Sequence, residues 1–176
     1  MRTALFLLLG NFTVTCFVLG LVASGIAIAR HPRPVPRPYV YEQLLRWFLF
    51  FSIGVSMLFN AFMHVVFHEM IARLIGWDDS PFQIEVGLAS LGFAVVGFIA
   101  WRRGWEVRLA AIAGPACFLV GAGIGHVYQI LTTHNMAPGN AGTILYTDFL
   151  IPAIGFALLW LAYRSDAKGR ASAPAD

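Results

Sequence analysis

Five stretches of this chain each run about the length that crosses a bilayer while carrying almost no charge, and such a chain has few folds open to it. Backbone amides in hydrocarbon must be satisfied within the protein, which leaves helices or a closed barrel, and uninterrupted runs of ~20 apolar residues fit helices. The runs lie at about 3–29, 47–75, 81–101, 107–131 and 143–163. Of the 176 residues 59% are hydrophobic and only 12% charged, with mean hydropathy +0.72, so little is left over beyond the connections. The reading is an all-α, polytopic transmembrane bundle of about five spans, a single membrane domain over 1–176 with no soluble domain attached.

The first run is too long for the apolar core of a signal peptide and is expected to be retained. Between the first two spans, Arg30 to Pro38 alternates prolines with other residues and predicts an extended connector. The polar tail 164–176 is expected to be disordered. Of twelve basic residues, only Arg2 and Arg73 fall on one side of this arrangement, and the rest cluster on the other. The positive-inside rule then puts the N-terminus outside and the C-terminus in the cytoplasm, as in a multi-pass protein of the inner (plasma) membrane. The same clustering explains the pI near 9.2 without nucleic acid as a partner. The lipid bilayer is the partner implied, and apolar outer faces leave room for a homo-oligomer or a partner in a membrane complex. Cys16 and Cys117 have no metal-ligand spacing and read as small buried residues.

Against this background the ionisable residues inside the spans stand out: His64, His68, Glu69, Glu85, His126 and Asp148. Such groups cost about 2.5–3.5 kcal/mol at a span's centre on insertion scales, so they face the bundle interior and mark a site or pathway. Counting at 1.5 Å per residue from the outer ends, Glu85 lies ~6 Å deep, His126 ~7 Å, Asp148 ~9 Å and the His68–Glu69 pair ~10 Å. The spacing of Asn60, His64 and His68 makes one helical stripe, and Glu85 shares a face with Ala89 and Gly92. Nitrogen and oxygen donors from four helices in one layer suit a non-haem metal ion, zinc, iron, manganese or copper(II), with a redox or metal-dependent role.

Three other readings use the same residues. A haem would take His64 and His126 as axial ligands, with less in its favour. A proton or cation relay would use the histidines and carboxylates as a transport path. A structural bundle or complex subunit without a cofactor would pair them only to satisfy buried polarity. Trp77, Trp101 and Trp105 read as interfacial anchors, Asp78 and Asp79 as solvated turn residues, and His134 as an exposed loop residue. No nucleophile triad, phosphate loop or dinucleotide fingerprint is present, so whether the chain is an enzyme stays open.

Ile75-Gly76-Trp77, the run Ser80-Pro81-Phe82-Gln83 with Glu85 and Gly87, Gly125-His126 with Tyr128-Gln129, and Ala137-Pro138-Gly139-Asn140-Ala141-Gly142 leading to Thr147-Asp148 form a distinctive set. On these motifs the chain resembles a family of small bacterial integral membrane proteins of unassigned function, over roughly residues 45 to 160. The resemblance implies a membrane bundle but no reaction. It also implies that His64, Glu85, His126 and Asp148 belong to the shared pattern more than His68 and Glu69 do.

Overall fold

The apolar runs become helices in the computed structural model, which describes residues 10–171, with side chains described to Ser165. Helix α1 (Phe12–Ala29) is followed by α2 (Arg37–Phe48), a π-helical stretch (Leu49–Val55) and α3 (Ser56–Val66). A short α4 (His68–Ile75) precedes α5 (Phe82–Ala100) and α6 (Trp105–Thr133), and the one-turn α7 (Pro138–Ala141) leads into α8 (Thr143–Ala171). No strand occurs among the described residues. Five helical stretches are long and apolar enough to cross a membrane: Phe12–Ala29, Arg37–Val66, Phe82–Ala100, Trp105–Thr133 and Pro138–Ser165. The start of the first expected span, before residue 10, lies outside the described residues.

Three boundaries differ from the sequence reading. The connector is shorter than RHPRPVPRP, because Pro38 sits in the first turn of α2, where a missing N–H costs nothing. The second span therefore starts near residue 37 and ends at Phe67, whose backbone (φ −120°, ψ 34°) leaves the helical region. Val65, Val66 and Phe67 restrict χ1 against the preceding turn and support that break. At the far end α8 continues to Ala171, so 164–171 are helical where disorder was expected; residues 172–176 lie outside the described residues.

The buried core is a band through the middle of the bundle, with Leu45, Phe48, Leu49, Ile53, Ile112 and Leu159 among its members. A close backbone crossing joins the π-helical stretch to α5: a Cβ added to Gly97 would lie 2.8 Å from the Gly54 amide nitrogen. Close helix approach of this kind supplies packing where the hydrophobic effect cannot, since lipid is as apolar as leucine. The packed stripe of α5 is Gln83, Gly87, Ser90, Ala94 and Gly97, all buried. Gly92 meets nothing, and Glu85 and Ala89 are exposed, so the face assigned to Glu85 from sequence is the outward one. Cys16 is buried, as expected; Cys117 is not, because the inner side of α6 at that level is taken by Ala116 and Leu119.

Most arginines gather at one end of the bundle, the arginine end. The loops 67–81 and 134–142 close the other, the histidine end. The two loops are tied together there. Asn135 Nδ2 donates to the Ile75 carbonyl (2.9 Å), and a Cβ on Gly139 would strike the Leu74 carbonyl at 2.9 Å. Gly76, with φ 78°, ends α4 in the left-handed region that glycine adopts at no steric cost, and the Asn135 amide crowds the place where a side chain would stand.

Candidate functional site: a buried histidine–aspartate pair under an asparagine latch

The six ionisable residues do not converge on one point. His64, on α3, is buried against α5, and its Nδ1 bonds to Gln83 Oε1 at 2.8 Å. One turn deeper the same helix pair is joined by Asn60 Nδ2 donating to Ser90 Oγ at 2.9 Å, which in turn donates to the Val86 carbonyl at 2.8 Å. His68 lies beyond the break at Phe67 and so off the His64 stripe; its Nδ1 meets Asp79 at 2.9 Å on the surface. Glu69 is exposed beside Arg73 at 3.5 Å. Glu85 projects from the first turn of α5, where the helix dipole favours an acid and water or headgroups can solvate it.

His126 and Asp148 do come together. Both are buried, on α6 and α8, with His126 Nε2 3.7 Å from Asp148 Oδ2. Gly123, one turn before His126, permits this approach: a Cβ there would lie 3.2 Å from Asp148 Cβ and 2.8 Å from the Phe149 ring. The other face of the imidazole is governed by Asn140, the fully buried residue of α7. Its Nδ2 donates to the His126 carbonyl (3.3 Å) and to the Asn135 carbonyl (2.8 Å), so its Oδ1 is the acceptor facing His126 Nδ1 at 2.8 Å. That network fixes the tautomer: Nδ1 carries a hydrogen, and Nε2 is the nitrogen turned to Asp148. Asp148 Oδ2 is buried and has no hydrogen-bond partner among the described residues. Next to it, Thr13 Oγ1 of α1 donates to Thr147 Oγ1 (3.1 Å), bringing the first span to the pair.

Trp77 was read as an interfacial anchor, yet its ring centroid lies 5.9 Å from that of His126, so it also roofs the pair. Asp79, read as solvated, is the partner of His68. His134 is exposed as expected and ends α6 with φ 56°. Sequence reasoning passed over Gln83 and Asn140, because neutral amides do not announce themselves in a hydropathy profile. A signal existed for Gln83, which heads the stripe Gly87, Ser90, Ala94, Gly97, whereas Asn140 sits in a turn where asparagine is ordinary.

Among the described residues no group of three or more His, Cys, Asp or Glu is placed to hold one metal ion. His64 and His126 occupy different helix interfaces, each with Nδ1 bonded to an amide oxygen. What the arrangement can do chemically is hold one proton between two buried basic atoms.

The profile of one protein family, a family of unknown function (DUF6790), matches residues 10–168. No curated protein and no solved structure matches the chain.

Proposed function

The chain belongs to DUF6790, a family of unknown function, and on that premise we propose from its own buried groups that it is an integral membrane protein whose working part is a proton-exchanging His126–Asp148 dyad. The observation that carries this reading is the unpartnered Asp148 Oδ2, 3.7 Å from a nitrogen whose own proton content is set by Asn140. With Nδ1–H held on Asn140, the proton kept by the pair sits on Oδ2 in one state and on Nε2 in the other. At 3.7 Å the two atoms are beyond direct hydrogen-bond contact, so transfer takes a bridging water or about 1 Å of side-chain movement. Buried ionisable groups inside a membrane bundle mark proton relays for this reason.

The sidedness of the basic residues supports a dyad in the half of the membrane away from the cytoplasm, with the N-terminus outside in an inner (plasma) membrane. Reconstitution into liposomes carrying an internal pH dye tests the reading. Under an imposed pH gradient, wild type should acidify the lumen, and Asp148→Asn and His126→Gln should each lower the rate at least about tenfold while the fold is retained. Wild-type rates no higher than those of empty liposomes, or variants as fast as wild type, would leave the dyad a structural pair.

A metal ion is the second reading, favoured by the same separation. An imidazole nitrogen and a carboxylate oxygen 3.7 Å apart fall within the span of two ligands each about 2.0–2.2 Å from one zinc-sized ion. Water would complete the coordination. Elemental analysis of the purified protein decides it: stoichiometric zinc, iron, manganese or copper, lost in either variant, would replace the proton reading.

A further inference from the structure

At the opposite end from the dyad, an open cavity of about 540 Å³ is lined chiefly by arginines: Arg46, Arg102, Arg103 and Arg108. Only one of these charges is neutralised within the described residues. Arg108 makes a bidentate pair with Glu42 (2.6 and 2.7 Å), and its Nε donates to the Ala100 carbonyl at 3.4 Å, which fixes it as part of the wall. Arg46, Arg102 and Arg103 have no carboxylate partner among the described residues. Arg46 and Arg102 are instead held on the Trp101 ring, their guanidinium carbons 5.0 and 4.3 Å from its centroid.

Collecting like charges around one ring opposes their mutual repulsion, and cation–π contacts of about 0.5–2 kcal/mol compensate only in part. Donor capacity is also left over there. Arg46 Nε and Trp101 Nε1 are buried with no acceptor among the described residues, as is Nε1 of Trp47, whose ring lies 5.3 Å from that of Trp101. The cavity wall includes Gly104, the residue that opens α6, where no side chain caps the first turn and the helix dipole presents its positive end. Glu106, the acid of that turn, is exposed.

We propose that this arginine cavity binds the phosphate of an anionic ester. Guanidinium groups match phosphate oxygens through paired N–H donors, and a ring-stacked arginine is already oriented to supply them. The surplus of donors over acceptors is what a group rich in acceptors would satisfy. The phosphate can belong to a lipid headgroup, since the cavity lies at the end of the spans beside Trp101 and Trp105, or to a soluble phosphate.

Native mass spectrometry of the detergent-purified full chain separates these sources. Phosphatidylglycerol should be retained over phosphatidylcholine, and Arg102→Gln or Arg103→Gln should each weaken retention about fivefold. Retention that survives millimolar inorganic phosphate assigns the site to a lipid headgroup. Displacement of the lipid by inorganic phosphate, with a rise in melting temperature that the same variants abolish, assigns it to a soluble phosphate. Both variants are at exposed positions and should fold. Arg46→Lys, which keeps the charge but not the planar fork, should lose selectivity while melting as wild type does. The proposal is overturned if the double variant Arg102→Gln/Arg103→Gln binds both ligands as wild type does. It is equally overturned if replacing Arg30 and Arg33, connector arginines outside the cavity, has the same effect, because general attraction to a charged surface would then suffice.

Discussion

Asn140 shows how much a single neutral residue can control. Its side chain makes three hydrogen bonds, two of them buried at His126 and one half-buried at Asn135. Asn140→Ala would strand the His126 Nδ1–H and the Asn135 carbonyl, and should cost about 2–4 kcal/mol in a detergent-denaturant titration. Asn140→Asp keeps the acceptor for Nδ1 but removes both donors, so it should fall between wild type and alanine. The two polar residues of the first turn and a half of α5 should behave oppositely. Gln83→Ala removes the buried partner of His64 and is expected to destabilise by about 1–3 kcal/mol. Glu85→Ala, at an exposed position, should change stability by less than about 0.5 kcal/mol in the same titration. A loss at Glu85 equal to that at Gln83 would show that the outward face of α5 is covered by something else.

The same contrast explains which parts of the site were legible beforehand. Charge in an apolar run is conspicuous, so His64, His126 and Asp148 could be picked out and are buried. Direction is harder to read. Residues 83 and 85 sit two positions apart on one helix, and both lie on plausible small-residue stripes, since Gly87–Ser90–Ala94–Gly97 competes with Ala89–Gly92. Only the neighbour with a gap to fill decides between them: α3 takes the Gln83–Gly87–Ser90 part of the stripe, and the π-helical stretch, a backbone feature with no clear mark in the sequence, takes Gly97. The break at Phe67 was hidden for a similar reason: the apolar run continues through it, and hydropathy does not register a change of helix axis.

At the level of elements, the crossing of α5 on the π-helical stretch should tolerate no side chain. Gly97→Leu would drive atoms into the Gly54 backbone and the Ile53 side chain, which cannot yield as a flexible side chain tip can, and should cost at least about 2 kcal/mol. Gly92→Leu, on the open face of the same helix, should be within about 0.5 kcal/mol of wild type. Measuring both by denaturation in mild detergent separates packing from any general effect of replacing glycine in α5. Pro115 and Pro152 sit buried inside the uninterrupted helices α6 and α8, where Pro152 follows Asp148 by four residues and so deprives its carbonyl of the usual helical donor.

For the molecule as a whole, five crossings together with the positive-inside rule predict residues 12 and 165 on opposite sides of the bilayer. A fluorescent reporter fused after residue 171 should be active in the cytoplasm, and a reporter active only outside should work when inserted in the 134–137 loop. The opposite pattern would move the dyad to the cytoplasmic half and the arginine cavity to the outside. This expected orientation rests on where charge is absent and where arginine collects, which is why it can be drawn from the sequence without any knowledge of packing.

The tie between the two loops at the histidine end has a mechanical consequence. Asn135 grips the end of α4 through the Ile75 carbonyl, and its own carbonyl receives the second hydrogen of the Asn140 amide, whose oxygen holds the imidazole of His126. Load applied to α4 therefore reaches the ring through a chain of three polar contacts, with no apolar side chain in between to absorb it. Lifting the loop would admit water beside the ring and loosen the Asn140 contact that orients it in one movement, like a door whose handle also draws the bolt.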